Sequence, residues 1–184
     1  MSNFCIQVSN PIVQPPAEAE VEYLYEAIVR IFPDDTEKAY LLWNSIPVRI
    51  DYKYDLYVLI EDIPRLLDVL LSSDKGTHRV GWGSNSFNAE WNIEWTDDRI
   101  KITSHWNSVA GAYEALLNSR SKLEIEKDVF LGEWKTLLRK IIEAIDSSGI
   151  KIANHAELDY IRRIEAAIAN QGCLYSASSQ SGIV

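Results

Sequence analysis

The side chains best suited to acid–base chemistry are a glutamate and a histidine on two segments that should be neighbouring strands. Residues 87–95 and 99–106 each alternate apolar and polar side chains, which is typical of half-buried β-strands. A tight turn between them places Glu90 opposite His105. Such a pair could serve a small hydrolase as general base and orienting group. The alternative is an ordinary cross-strand pair on a solvated sheet face. We favour this alternative because no nucleophile is expected beside the pair.

Other catalytic and ligand-binding patterns are missing from the sequence. It has no phosphate-binding loop, no nucleophile elbow and no HExxH zinc motif, and the segment 81–84 reads as a β-turn. The three histidines fall in different elements, so neither a metal site nor a cofactor is expected. The acidic doublets (Asp34-Asp35, Glu61-Asp62 and Asp97-Asp98) are more typical of turns and helix starts than of paired catalytic carboxyl groups.

The pattern predicts an α+β fold with one antiparallel sheet, centred on 87–95 and 99–106, and with helices packed on its apolar face. In this register Trp95 pairs with Ile100 and Glu94 with Lys101. Apolar periodicity predicts further strands and helices. The predicted strands are 3–8, 46–54, 56–60, 123–127 and 150–153. The predicted helices are 21–32 and 36–43, one that begins at Asp62, one that runs from 128 and is stopped by Gly149, and one that follows Asn154.

Length, composition and charge limit the classes of function. The 184 residues are expected to form a single domain over 1–170 and a flexible tail over 171–184. Cys5 and Cys173 read as free thiols, and with no signal-peptide pattern and no long apolar run we expect a cytoplasmic protein without a membrane anchor. The net charge is −9, which argues against a nucleic-acid partner. It favours a basic protein partner, or serves solubility alone.

The acidic excess is concentrated in the first 70 residues. Three acidic residues of this part and one later tryptophan are candidates for partner binding. Asp51 and Asp55 alternate with apolar neighbours, so they are expected to share the outward face of a strand, with Glu61 extending it. Trp82 lies between two glycines and is expected to be an exposed aromatic anchor. The alternative is that these acidic side chains only keep one sheet face soluble.

Two stretches resemble a known group of proteins. Residues 106–114 (WNSVAGAYE) precede a strand that leads into residues 128–138 (DVFLGEWKTLL). This arrangement is similar to that of small immunity proteins from bacterial polymorphic-toxin and contact-dependent inhibition systems. The resemblance covers about a third of the chain and implies an antidote that binds a cognate toxin. A small hydrolase using Glu90 and His105, or a cytosolic regulatory or adaptor protein, remains the alternative.

Overall fold

A computed structural model describes residues 3–17 and 19–169, and the fold is α+β. Within these residues the strands are β1 (Phe4–Gln7), β2 (Glu20–Val21), β3 (Ala39–Trp43), β4 (Ile46–Ile50), β5 (Gly76–Gly83), β6 (Phe87–Trp95), β7 (Arg99–Val109), β8 (Lys122–Glu126) and β9 (Lys151–Ile152). The helices are α1 (Leu24–Ile31), α2 (Leu56–Leu59), α3 (Asp62–Ser72), α4 (Glu114–Ser119), α5 (Lys127–Ser148) and α6 (His155–Ala167). The expected tail, 171–184, and Cys173 lie outside the described residues.

The largest sheet has four antiparallel strands in the order β5-β6-β7-β8. The expected register is confirmed, because Trp95 pairs with Ile100, Glu94 with Lys101 and Glu90 with His105. Side chains along β6 and β7 alternate between buried and exposed, so the sheet has an apolar inner face and a polar outer face. None of the helices in the described part of the chain is both long and apolar enough to span a bilayer.

Five tryptophans form the centre of the core, where elements from all parts of the fold meet. Trp43 contacts Trp91 and Trp106 of the large sheet, and Trp134 of α5 stacks on Trp82 with ring centroids 5.6 Å apart. Many of these ring pairs are edge-to-face, which brings the positive ring edge against the negative ring face. The buried indole N–H of Trp43 donates to the Arg120 carbonyl at 2.9 Å. Those of the other four tryptophans have no hydrogen-bond partner among the described residues.

Two smaller sheets and the helices complete the domain. Strands β1-β3-β4 form an antiparallel sheet, and β2 pairs with β9 in parallel. Helix α5 packs Phe130 against Phe4 of β1, and Glu133 accepts the β1 backbone N–H of Ile6 at 2.6 Å. The helix ends as expected at Gly149, whose φ of 72° favours glycine. The Asn154 side chain caps α6 by accepting the N–H of Ala156.

Several segments differ from the sequence predictions, among them helix α4, which was not predicted, and the strand predicted over 46–54, which ends at Ile50. The segment 36–43 was expected to be a helix, but Ala39, Leu41 and Trp43 are buried at every second position of strand β3. The segment 56–60 was expected to be a strand, but it forms the short helix α2, which buries Leu56 and Leu59. Both runs are short and nearly continuous in apolar residues, so their periodicity does not distinguish helix from strand.

Strand β5 was not expected, and its glycines explain why. Gly76, Gly81 and Gly83 lower the strand propensity of the segment, and two of them were interpreted as a turn. In the structure β5 pairs along its whole length with β6, and its inner face buries Val80 and Trp82. Gly76 also lies under the Trp95 ring, where a Cβ atom would be only 2.5 Å from a ring carbon. The glycine there is a packing requirement.

Candidate functional site

Asp51 and Asp55, expected on an exposed strand face, are instead buried in a turn. The chain turns after Ile50, and the backbone N–H groups of Asp55 and Leu56 donate to the Asp51 carbonyl at 3.0 and 3.1 Å. Asp51 and Asp55 are only 5% and 0% exposed. The expectation is wrong because the alternating pattern that supported it continues past the point where the strand ends. We call this segment the Asp51–Asp55 turn.

The two carboxyl groups of this turn are occupied by donors from the chain itself. Asp55 accepts the Asp51 N–H at 2.7 Å and the hydroxyl groups of Ser84 and Ser86, which ties the start of α2 to the β5–β6 connection. Asp51 forms an ion pair with Lys38 at 2.8 Å and accepts two backbone N–H groups. Burial acts to raise the pKa of Asp51, but these donors outweigh it and hold that pKa below its ordinary value.

Trp82, expected to be an exposed anchor, is 1% exposed. Because it lies on β5, its side chain points to the inner face of the sheet and packs against Trp91 and Trp134. The neighbouring Gly81 and Gly83 are exposed on the opposite face. The glycines therefore mark the outer face of a strand, and the tryptophan is a core residue that a partner could not contact.

The Glu90–His105 pair lies on the outer face of the large sheet, as the register required. The Glu90 carboxylate is paired with Arg79 of the adjacent strand β5, and no hydrogen bond joins Glu90 to His105. The geometry therefore gives no support to a base–orienter pair. In the part of the chain that the structure describes, no three His, Cys, Asp or Glu side chains are grouped so that they could hold a metal ion.

Glu61 is the one predicted partner-binding residue that is exposed, with 45% of its side chain accessible. It precedes α3 and forms an ion pair at 2.9 Å with Arg65, one helical turn later. Around it the fold assembles residues that sequence reasoning did not select as binding residues. These residues, with Glu61, form what we call the tyrosine–glutamate surface: Glu22, Tyr23, Tyr25, Glu26, Glu61 and Glu157.

Two tyrosines form the aromatic part of this surface. The rings of Tyr23 and Tyr25 are stacked, with centroids 5.6 Å apart and planes 9° from parallel, and each residue is 38% exposed. Both lie off the buried stripe of α1, which is formed by Leu24, Ala27, Ile28 and Ile31. A sequence signal was available in the two tyrosines, separated by one residue, among acidic residues.

Two of the four carboxylates of the surface are held in place by backbone donors. Glu26 accepts the N–H groups of Glu22 and Tyr23 at 3.0 and 3.2 Å, and Glu157 of α6 accepts the N–H of Leu24 at 3.1 Å. Among the described residues, only Glu61 of these four glutamates has a basic ion-pair partner. Reduced contact with water, together with the charges of Glu26, Tyr23, Glu157 and Glu61, raises the pKa of Tyr25.

A small groove of about 70 Å³ opens beside the tyrosines, between α1, α3 and α6. Its walls are apolar, formed by Leu24, Ile60, Pro64 and Ile161, while Glu61 and Glu157 lie at its edge with Arg65 and Tyr160. Pockets for drug-sized ligands usually measure about 300–1,000 Å³, so this groove suits a single side chain. Apolar walls with an acidic edge match the aliphatic stem and cationic head of lysine or arginine.

Comparison of the chain with family models, with curated protein sequences and with solved structures found no match. No residue role can therefore be transferred from a relative. The tyrosine–glutamate surface is identified by its own geometry, in which stacked exposed rings, four glutamates with a single basic partner among the described residues, and an apolar groove lie together.

Proposed function

We propose that this protein neutralises a basic protein toxin by binding it through the tyrosine–glutamate surface. The observation that carries the proposal is the excess of carboxylates beside two exposed stacked tyrosines and an apolar groove. Carboxylates that fold the protein have cationic or buried donors, as Asp51 does with Lys38. Of the four glutamates of the tyrosine–glutamate surface, three have no basic partner among the described residues, so an external cation could pair with them.

The tyrosines and the glutamates of the surface correspond to two kinds of residue that contribute differently to protein interfaces. Tyrosine is enriched among the few residues that dominate binding energy, because a rigid ring provides a large contact area at small entropic cost. Rim carboxylates contribute mainly to association rate and specificity. The net charge of −9 adds long-range attraction for a basic partner.

The groove supplies a specific contact for the same partner. A lysine or arginine of the toxin would place its stem against Leu24, Ile60 and Pro64 and its charged head near Glu61 and Glu157. The resemblance of residues 106–114 and 128–138 to toxin-immunity proteins supports this choice of partner.

The test is co-expression with the product of whichever gene lies immediately upstream, which the proposal expects to be a basic protein. We expect the neighbour alone to stop growth, the pair to restore it, and the two proteins to co-elute in size-exclusion chromatography. The variant Tyr25→Ala with Glu61→Lys should lose both rescue and co-elution, while Glu90→Gln on the outer sheet face should retain both. Rescue by the double variant at wild-type level would overturn the proposed surface.

Other outcomes of this experiment distinguish the alternatives. Co-elution without growth rescue would favour a regulatory or adaptor protein over an antidote. A neighbour that does not inhibit growth and does not co-elute would remove the support for toxin neutralisation. Turnover of ester or amide substrates that is lost in both Glu90→Gln and His105→Ala would instead establish the hydrolase.

A further inference from the structure

The outer face of the three-stranded sheet carries a second, larger groove. Here the cross-strand pair Tyr40 and Arg49 lies next to the pair Leu42 and Pro47. The groove measures about 550 Å³ and runs between this face and the connection from β7 to α4. We call it the Arg49 groove; its walls include Tyr40, Pro47, Arg49, Tyr113 and Leu116.

The apolar residues of the Arg49 groove are unusually accessible. Tyr40 is 42% exposed and Leu116 is 48% exposed, and both belong to the same groove. Single exposed apolar side chains are ordinary, but several that line one concave surface are typical of binding sites. Tyr and Arg together are also the residue types most enriched at the energetic centres of interfaces.

Arg49 is the polar group in this apolar setting. Its side chain is half-buried, and its Nε atom is buried without a hydrogen-bond partner. Within residues 3–17 and 19–169 its guanidinium group has no carboxylate partner. The acidic residue at the start of α4, Glu114, instead accepts the backbone N–H of Val109 at 2.7 Å. A partly buried guanidinium without a carboxylate partner is unfavourable until an anion pairs with it.

The wall opposite Arg49 is fixed by a strained turn. Gly111 and Ala112 have φ values of 104° and 55°, and a left-handed backbone is unfavourable for alanine. The Tyr113 hydroxyl donates to the Pro47 carbonyl at 2.6 Å and so ties this turn to β4. Burial raises the pKa of Tyr113 and the charge of Arg49 opposes that rise, so the guanidinium lies near this tyrosine.

We propose that the Arg49 groove binds an extended segment of a partner protein that presents one carboxylate side chain between apolar neighbours. The carboxylate would accept the two parallel N–H donors of the Arg49 fork, which is the geometry that guanidinium groups provide. The flanking apolar side chains would cover Tyr40 and Leu116. This site shares no residue with the tyrosine–glutamate surface and does not depend on the proposed toxin.

The test uses two peptides that differ in one group, acetyl-Ala-Val-Glu-Val-Ala-amide and the same peptide with Gln in place of Glu. Each is titrated into ¹⁵N-labelled protein, and backbone amide shifts are followed by NMR. We expect the Glu peptide to bind with a dissociation constant on the order of 1 mM. The shifts should centre on Tyr40, Arg49 and Tyr113, and the Gln peptide should bind at least about fivefold more weakly.

Three variants locate the interaction. Arg49→Gln should bind both peptides equally, and Tyr40→Ala should weaken both while keeping the preference for Glu. If Arg49→Gln gives the amide spectrum of an unfolded chain, Arg49→Lys replaces it, because lysine keeps the charge without the two parallel donors. Arg49→Lys should lose most of the preference for the Glu peptide. Equal binding of both peptides by the wild type, shifts centred elsewhere, or no binding at 10-fold higher concentration (about 10 mM) would each overturn the proposal.

Discussion

The Asp51–Asp55 turn and the tyrosine–glutamate surface are both rich in carboxyl groups, yet they use them in opposite ways. In the turn, Asp55 is fully buried and accepts two serine hydroxyls and a backbone N–H. On the surface, Glu22 and Glu61 are exposed and Glu26 and Glu157 are half-buried, and among the described residues only Glu61 has a basic partner. The same residue type stabilises the fold in one place and presents charge in the other.

The difference follows from where the donors come from. A buried carboxyl group must have its hydrogen bonds supplied by the protein, because water cannot reach it. The turn supplies them from residues such as Lys38 and Ser84, which are distant in the sequence. An exposed carboxylate is solvated by water and needs no such partner, so it can exchange water for a cation on another protein. Predictions that separate stability from binding therefore test this comparison.

The largest effect is expected for Asp55→Ala. This change leaves the hydroxyls of Ser84 and Ser86 and the Asp51 N–H without their acceptor inside the protein. We expect the free energy of unfolding to fall by about 3 kcal/mol, measured by urea denaturation. Asp97→Ala in the exposed β6–β7 turn is the control and should change stability by less than about 0.5 kcal/mol. Equal stability of the two variants would show that Asp55 does not hold the fold.

A smaller effect, on binding alone, is expected for Tyr25→Ala. Removing this exposed ring should weaken binding of the proposed partner by about 2 kcal/mol, or roughly 30-fold in dissociation constant. The matched control is Tyr54→Ala, which removes a tyrosine that is even more exposed (50% against 38% for Tyr25) from the Asp51–Asp55 turn. Titration calorimetry should show little loss of affinity for that variant. Similar losses for both tyrosines would contradict the assignment of binding to one surface.

Asp51→Asn should reveal the pH dependence of the turn. The folded-state pKa of Asp51 lies below the ordinary value of 3.8, so its stabilisation is present above that pH and is lost as the pH falls through the folded pKa. Asparagine can still accept the N–H groups of Lys53 and Tyr54 but cannot pair with Lys38. Because Lys38 is partly exposed, we expect a loss of only about 1 kcal/mol at neutral pH.

Denaturation of both proteins from about pH 2.5 to about pH 7 checks this expectation, because this range includes the ordinary aspartate pKa. The difference in unfolding free energy should stay constant at neutral pH and close as the pH falls below 3.8. A difference that persists unchanged in acid would mean that the ion pair with Lys38 is not the stabilising contact.

The sequence predicted those parts of the fold in which several patterns agree. The β6–β7 register was confirmed because the apolar faces of both strands and the charge pair Glu94–Lys101 favour the same alignment. Helix α5 was confirmed because a long apolar stripe ends at Gly149. Short segments failed where only one pattern was present, as at 56–60, where a continuous apolar run fits both helix and strand.

The candidate site was less predictable, because it depends on contacts between distant segments. Glu61 was selected correctly as an exposed residue, but Tyr25 and Glu157 join it only when α1, α3 and α6 pack together. Asp51 and Asp55 could not be recognised as buried, since their donors Lys38 and Ser84 come from elsewhere in the chain. The number of acidic residues in a sequence segment does not show which carboxyl groups are bound by donors within the folded protein.

The smallest effect is expected when charge is removed from the tyrosine–glutamate surface without changing its shape. The double variant Glu22→Gln with Glu61→Gln removes two exposed charges and only the solvent-exposed pair with Arg65. Such pairs contribute about 0–1 kcal/mol, so the unfolding free energy should stay within roughly 0.5 kcal/mol of the wild type. The association rate with a basic partner should fall about threefold at low salt, because rim charges act chiefly on encounter.

The salt dependence separates this effect from a loss of contacts. Stopped-flow association at rising ionic strength should bring the variant and the wild type together, since the Debye length falls from about 10 Å at 0.1 M to about 3 Å at 1 M. The control Glu94→Gln with Glu124→Gln removes two charges from the outer face of the large sheet, where Lys101 lies between them in the strand register. If that control slows association as much as the surface variant does, the attraction comes from the net charge of the whole protein. A slower rate only for the surface variant, which disappears at high salt, would locate the attraction at the tyrosine–glutamate surface.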